Sequence, residues 1–435
     1  MVSHHWAPFE PDNRSPWTLR RVVHLHRRAA FAATWEELQR DLRDGPIVSV
    51  GRLLAGTACA AHAEFASTAQ LLADAAVAGQ EINRLKAWWF YRMLFGADPL
   101  TERLTLFWHN HFATANSKVE DAALMYRQND TLRRHARAHF ADLLGAAVRE
   151  PALLIYLDAP ANRKGHPNEN LARELMELFT LGVGHYSERD VEEAARALTG
   201  WTIDDERFAE NTLRHDDGEK TILGHKGRWA GPDLVKVLLD QPATARRIAG
   251  KLCRLFFGET ALPPEAVSEL TTEFRERGLD IGWAVGTILN SRAFFADANL
   301  GTRVLGPVEY VAGAARALEM FDPAPSMLAL ADWSTRMGQE LFEPPNVGGW
   351  PGGRAWIHPR GLIARANYAA SLVGGTSAGR PSSYNPADLP RKYGFGSDAD
   401  SVLLFHHRLL FGTDPAPGEA KPVTILLSSP RAQLA

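Results

Sequence analysis

Apolar residues recur at three- and four-residue intervals along most of the chain, a spacing that predicts helices. The stretch from Pro167 to Gly182 shows it best. Leu171, Leu175, Leu178 and Phe179 fall at i, i+4, i+7 and i+8, a stripe suited to burial. Asn170, Glu174 and Glu177 fall at i, i+4 and i+7 on another face, with Arg173 beside them. Pro167 suits a first turn and Gly182 the residue just past the end. One short helix thus carries a core stripe and a row of amide and carboxylates, which faces either water or a site.

Two helical patterns lie between Trp17 and Leu54, with Thr34 as N-cap ahead of Trp35-Glu36-Glu37. Ala66 to Phe95 reads as one long helix with an aromatic end, stopped by Gly96 and followed by a restart at Asp98-Pro99. Leu104, Phe107, Trp108, His111 and Phe112 again share a helical face. His109 lies about 200° around that helix from His111. The two histidines can therefore chelate one ion together only if the segment unwinds. Ala122–Gly145 and Ala147–Leu157 follow as helices, and Ser187-Glu188-Arg189-Asp190 opens another with a capping box. Residues 201–232 are the least helical part, and His215 to Gly224 predicts a turn and short strand in a small hairpin. Helices resume from Asp233 to Leu341. Pro344 to Trp356, with its prolines, glycines and two tryptophans, is neither helix nor ordinary strand.

These elements predict a mainly α fold: one large multi-helix domain with a small hairpin or irregular insertion near 202–232. Residues 1–18 form an irregular arm and 19–373 the main helical domain. Residues 374–396 form a Gly/Ser/Pro-rich linker or mobile loop, and 397–435 a small helical tail of the same domain.

Composition narrows the classes. The chain has 435 residues, 45% apolar and 23% charged, enough to bury a core. Its formal charge of −3 offers no electrostatic case for nucleic acid. No apolar run is long enough to span a membrane, and the first residues lack the apolar core of a signal peptide. Cys59 and Cys253 imply no disulfide framework, so a cytoplasmic protein with reduced thiols is the expectation. No Gly-Xaa-Ser-Xaa-Gly elbow, phosphate-binding Walker loop or dinucleotide fingerprint occurs. That argues against a serine hydrolase, a P-loop NTPase and a classical dehydrogenase.

Several polar residues suggest chemistry. Glu174 and Glu177 at i, i+3 suit two carboxylate ligands of one ion. His109, His111 and His215 add imidazoles, and such a set suits Zn, Fe or Mn. A carboxylate among them would instead act as general base for a metal-bound water. Asp216 and Lys220 join His215 on a loop as acid, base or orienting groups. The plain alternatives are a solvated Glu174/Glu177 face paired with Arg173, a core His111, and a turn at Gly218 capped by Asp216 or Asp217. Trp350 and Trp356 offer flat faces for sugars or other rings, with Asn346, Arg354, Asn170 and Arg173 as hydrogen-bonding partners. The plain alternative is a rigid loop whose tryptophans plug the core.

The landmarks together resemble a known family. They are Phe107-Trp108-His109-Asn110-His111-Phe112, Asn168-Glu169-Asn170 through Arg173 to Gly182, and Ala197-Leu198-Thr199-Gly200-Trp201. His215-Asp216 with Gly218 and Lys220, and Pro344-Pro345-Asn346-Val347 with Gly349-Trp350-Pro351-Gly352-Gly353, complete the set. In order, these are similar to domain of unknown function 1800, over about residues 20–373. One motif departs: Arg27-Arg28-Ala29-Ala30-Phe31-Ala32 stands where the family usually has Arg-Ala-Gly-Phe-Gly. The resemblance implies a bacterial, mostly helical protein and no established reaction. It also hints at a partner or a shared pathway, because such proteins are often encoded beside domain of unknown function 1501, whose members resemble alkaline phosphatases and sulfatases.

Two functions are therefore expected as alternatives. One is a metal-assisted enzyme for hydrolysis or oxidation of a polymeric or glycan-like substrate. The other is a non-catalytic partner or assembly protein for that phosphatase-like neighbour, with the tryptophan-rich loop as its hot spot.

Overall fold

Short polar residues placed ahead of apolar runs start the helices. Thr34 accepts from the Glu37 amide at 3.2 Å while Glu37 accepts from the Thr34 amide at 2.8 Å, the expected capping box of the Trp35–Ala55 helix. Asp98 accepts from the Thr101 amide, with Pro99 at the first position of the Pro99–His111 helix. Ser187 and Asp190 cap the Glu188–Ala197 helix reciprocally. The computed structural model describes residues 5–435 apart from 57–60, 260–261, 375, 378–379, 382–383 and 420–421.

The fold is mainly α, as the periodicity predicts. Among the described residues, strands are confined to short antiparallel pairs: Trp201–Asp204 with Arg207–Glu210, Lys220–Ile222 with His225–Gly227, and Thr376–Ser377 with Arg380–Pro381. The first two pairs make up the hairpin region expected near 202–232.

The Pro99–His111 helix joins two hydrophobic clusters. Leu100, Leu104 and Trp108 enter one, with Phe140, Leu175, Phe179, Leu252 and Ile288. Leu106 enters the other, with Trp89, Val308, Phe342, Tyr368 and Leu426. Since both sides of this helix are covered, its two histidines are both buried.

Several expectations change in three dimensions. Ala66–Phe95 is not one helix but parts of two, Ala61–Ala78 and Ile82–Phe95, because Gln80 turns left-handed (φ +51°) after Gly79. Ala122–Gly145 likewise divides into Ala122–Arg134 and Phe140–Ala147. The described part of the 1–18 arm, from residue 5, is irregular but packed: Trp6 and Phe9 are buried, the Trp6 indole donates to Ala266 O at 2.8 Å, and the Phe9 amide to Asn290 O. The 374–396 linker lies partly outside the described residues. The rest of it is built in, with a helix at Asp388–Lys392 and with Tyr393 and Phe395 packed on Phe405. Ala32, at a position where the resembled family carries glycine, adopts φ +95°. The tight turn therefore forms without the glycine, its amide bonded to His26 O at 3.2 Å.

Candidate functional site

The Pro167–Gly182 motif is helical but changes type midway. Asn170–Glu174 is an α-helix and Leu175–Thr180 a π-helix. At its end the Leu181 and Gly182 amides both reach back to Met176 O, at 2.8 and 3.2 Å. The carbonyls of Leu178 and Phe179 therefore lose the amides that a continuing α-helix would give them. Side chains replace those amides: Arg247 Nε donates to Leu178 O at 3.1 Å, and the His111 ring bonds to Phe179 O through Nε2 at 3.2 Å. Single-turn π segments are frequent at functional sites.

The His111 bond fixes its tautomer. Nε2 carries the proton toward Phe179 O, so Nδ1 is an acceptor, and Lys251 Nζ donates to it at 2.7 Å. Burial and the nearby Lys251 and Arg247 push the His111 pKa far below its ordinary value, so the ring is neutral. Lys251 is itself shifted: burial first, then Arg247 and Arg254, lower its pKa to about 7. Arg247, Lys251 and Arg254 lie at i, i+4 and i+7 on the Pro242–Phe257 helix, a cationic stripe.

That stripe forms one wall of an open cleft of roughly 1010 Å³. His111, Lys251 and Arg254 line it, with Trp350, Arg354 and Trp356 from the glycine-rich loop opposite. Arg254 is exposed and makes no ion pair among the described residues. Arg354 is paired with Glu259 at 2.9 Å. At the base, Glu309 is buried and paired with Arg103 and Arg303. Burial alone would raise its carboxyl, but the two guanidiniums hold it at about 2.

The other expected residues go elsewhere. His109 points away from His111, as an unbroken helix requires. It is fully buried among Trp89, Phe342 and Trp350, with neither ring nitrogen bonded among the described residues, and burial drops its pKa to about 3. Glu177 accepts from Tyr186 OH at 2.6 Å. Glu174 is half-buried, and burial and then Glu177 raise its carboxyl. Asn170 bonds to Asp158, and Arg173 bridges Glu169 and Glu188, on the outer face of the motif rather than in the cleft. His215 is held by Thr199 O at 2.9 Å. Asp216 pairs with Arg196 and accepts from the Gly218 amide, and these bonds hold its carboxyl at about 2. Lys220 is buried and donates to the carbonyls of Asp216 and Gly218. The 215–220 segment is thus a tied turn. Among the described residues no three His, Cys, Asp or Glu side chains lie close enough to hold a metal ion, so the five expected ligands do not converge.

The loop tryptophans do not form an open platform. Trp350 is 4% exposed and Trp356 7% exposed, so each gives the cleft only an edge. Asn346 caps the loop's own turn, accepting from the Gly348 amide at 2.9 Å.

The chain matches the family model described as protein of unknown function, domain of unknown function 1800, over residues 24–433. It belongs to that family. The match reaches sixty residues beyond the motif-bearing span and takes in the C-terminal tail, whose Leu403, Phe405 and Leu426 share a core with Trp89 and Val308. No curated protein and no solved structure matches the chain.

In this member of domain of unknown function 1800, the sequence carries no local sign of a role for Arg247, Lys251 or Arg254. The i, i+4, i+7 spacing of the cations was visible, but a basic stripe on an amphipathic helix ordinarily means a solvated face. No helix among the described residues is long and apolar enough to cross a membrane.

Proposed function

We propose that this protein is an enzyme that takes an anionic, extended substrate in the cleft between the Pro242–Phe257 helix and the Pro344–Trp356 loop. The carrying observation is the pair of Lys251 and His111 in the cleft wall: an amine poised near neutrality against a neutral imidazole of fixed tautomer. A group that titrates near pH 7 exchanges protons efficiently at that pH. Arg254 beside it supplies a cation for the substrate's charge, and the cleft's volume exceeds what one small molecule needs.

The reading replaces the Glu174/Glu177/histidine constellation as the centre of the chemistry. A glycan stacked on Trp350 or Trp356 is disfavoured by their burial, whereas an anionic polymer remains compatible with the cleft. Calorimetric titration with tripolyphosphate and with citrate tests it. Binding is expected to weaken severalfold in Arg254→Ala and in Lys251→Met, and to weaken in wild type as pH rises from 6 to 8.5 and Lys251 loses its proton. Equal binding by wild type and both variants would remove the cleft from consideration. The partner role beside a phosphatase-like neighbour would then be the reading to pursue, by pull-down with Trp350→Ala.

A further inference from the structure

We propose that Lys251 bonds covalently to its substrate, as the amine that forms an imine with an anionic aldehyde or ketone bound in the cleft. This rests on the cleft reading above and names its substrate class.

The geometry supplies each requirement. The amine lines a cleft open to solvent and is anchored at one N–H by His111 Nδ1, 2.7 Å away. His111 is anchored in turn by Phe179 O on the π segment, so the ring cannot swing aside. This anchor is directional, because a neutral amine that donates one N–H to the ring keeps its lone pair for an electrophile in the cleft. No carboxylate pairs with Lys251 among the described residues, unlike Lys226, which pairs with Glu219, and Lys392, which pairs with Glu319. The neighbouring cations on the same helix are Arg247 and Arg254, an arrangement that disfavours protonation of the amine and so favours its nucleophilic form. Arg254 lies one turn along the helix, placed for the negative group of the same molecule.

The reaction balances without another reagent. The Lys251 lone pair attacks the carbonyl carbon, and the carbonyl electrons move to oxygen. The nitrogen gives up its protons, the first along the bond to His111 Nδ1, and the oxygen gains two. The carbon–oxygen bond then breaks, a C=N bond forms, and one water leaves.

The test uses the whole protein with pyridoxal 5′-phosphate, an anionic aldehyde, as probe. Borohydride is added at pH 7.4, and adducts are located by peptide mass spectrometry. Pyridoxine 5′-phosphate, which has the charge but no aldehyde, is titrated in parallel. Lys251 is expected to be modified at least about tenfold faster than the exposed Lys226, because far more of its amine is unprotonated. Lys251→Arg should lose that adduct while still binding pyridoxine 5′-phosphate, and His111→Gln should slow it severalfold. Labelling spread evenly over the lysines, with pyridoxine 5′-phosphate still bound, overturns the imine and leaves the cleft reading standing. No binding of pyridoxine 5′-phosphate together with no preference for Lys251 overturns both. The wild-type peptide map alone decides the point if either variant fails to fold.

Discussion

Asn110 and Trp350, 240 residues apart, hold each other as neighbouring strands would. The Asn110 carbonyl oxygen accepts from the Trp350 amide at 2.6 Å, and its amide nitrogen donates to Trp350 O at 3.4 Å. One side chain satisfies both polar groups of a buried loop residue. Gly349 makes the approach possible: it sits at φ +81°, and a Cβ there would lie 2.2 Å from Asn110 Oδ1. Asn110→Ala leaves the Trp350 backbone unpaired at a closed position, which costs about 1–3 kcal/mol. Gly349→Ala is expected to cost more, since it adds a clash and a strained backbone to the same lost bonds. Denaturant unfolding of the two variants checks the order, and a harmless Gly349→Ala would mean that the loop is not held this way.

Lys251 sets a pH dependence whose sign follows from its depressed pKa. Between about 7, its value in the fold, and the ordinary lysine range near 10.4, the unfolded chain binds a proton that the folded chain does not. Stability from this residue therefore rises with pH across that window and is flat below it. Wild type is expected to gain on the order of 3 kcal/mol over Lys251→Met between pH 7 and 10, from about 2.5 pH units of one-proton difference at about 1.4 kcal/mol each. Parallel unfolding curves at four pH values suffice, and a constant gap between the two proteins would show that Lys251 has an ordinary proton affinity.

Ala32 stores strain that glycine would release. A non-glycine residue at φ +95° is held there by its surroundings: its amide bonds to His26 O, and its carbonyl accepts from Arg316 Nε at 3.1 Å. Ala32→Gly is expected to stabilise the protein by about 1 kcal/mol, the relief of strain outweighing the added freedom of the unfolded chain. A lower melting temperature in the variant would contradict this.

Metal content separates the two chemistries considered for the central motif. Protein purified without an affinity metal column is expected to carry well under one equivalent of Zn, Fe or Mn, because Glu174 and Glu177 have no third His, Cys, Asp or Glu ligand nearby among the described residues. Elemental analysis measures it. A full equivalent that disappears in the Glu174→Ala, Glu177→Ala double variant would restore the metal-dependent enzyme and displace Lys251 from the centre.

Much of the helix pattern was legible along the chain because caps and apolar spacing are local. Thr34 with Glu37, Asp98 with Pro99, and Ser187 with Asp190 announce helix starts within four residues. The divergence of His109 and His111 also followed from helical geometry once nothing broke the helix. The π turn was not legible. Leu171 to Phe179 has the spacing of an ordinary helix, and the wider turn is stabilised by His111 and Arg247 from distant segments.

The candidate site divides along the same line. The sequence by itself determined most of the helical segments, that a turn opens the 215–224 stretch, and that the 344–356 loop lacks regular structure. Tertiary packing decided which polar residues meet. It buried His109, Trp350 and Trp356, tied Asp216 and Lys220 into a turn, and brought Lys251 to His111 from 140 residues away. The physical reason is that capping and periodicity act over a few residues. Desolvation, which turns an ordinary lysine into one that titrates near neutrality, depends on every segment packed around it.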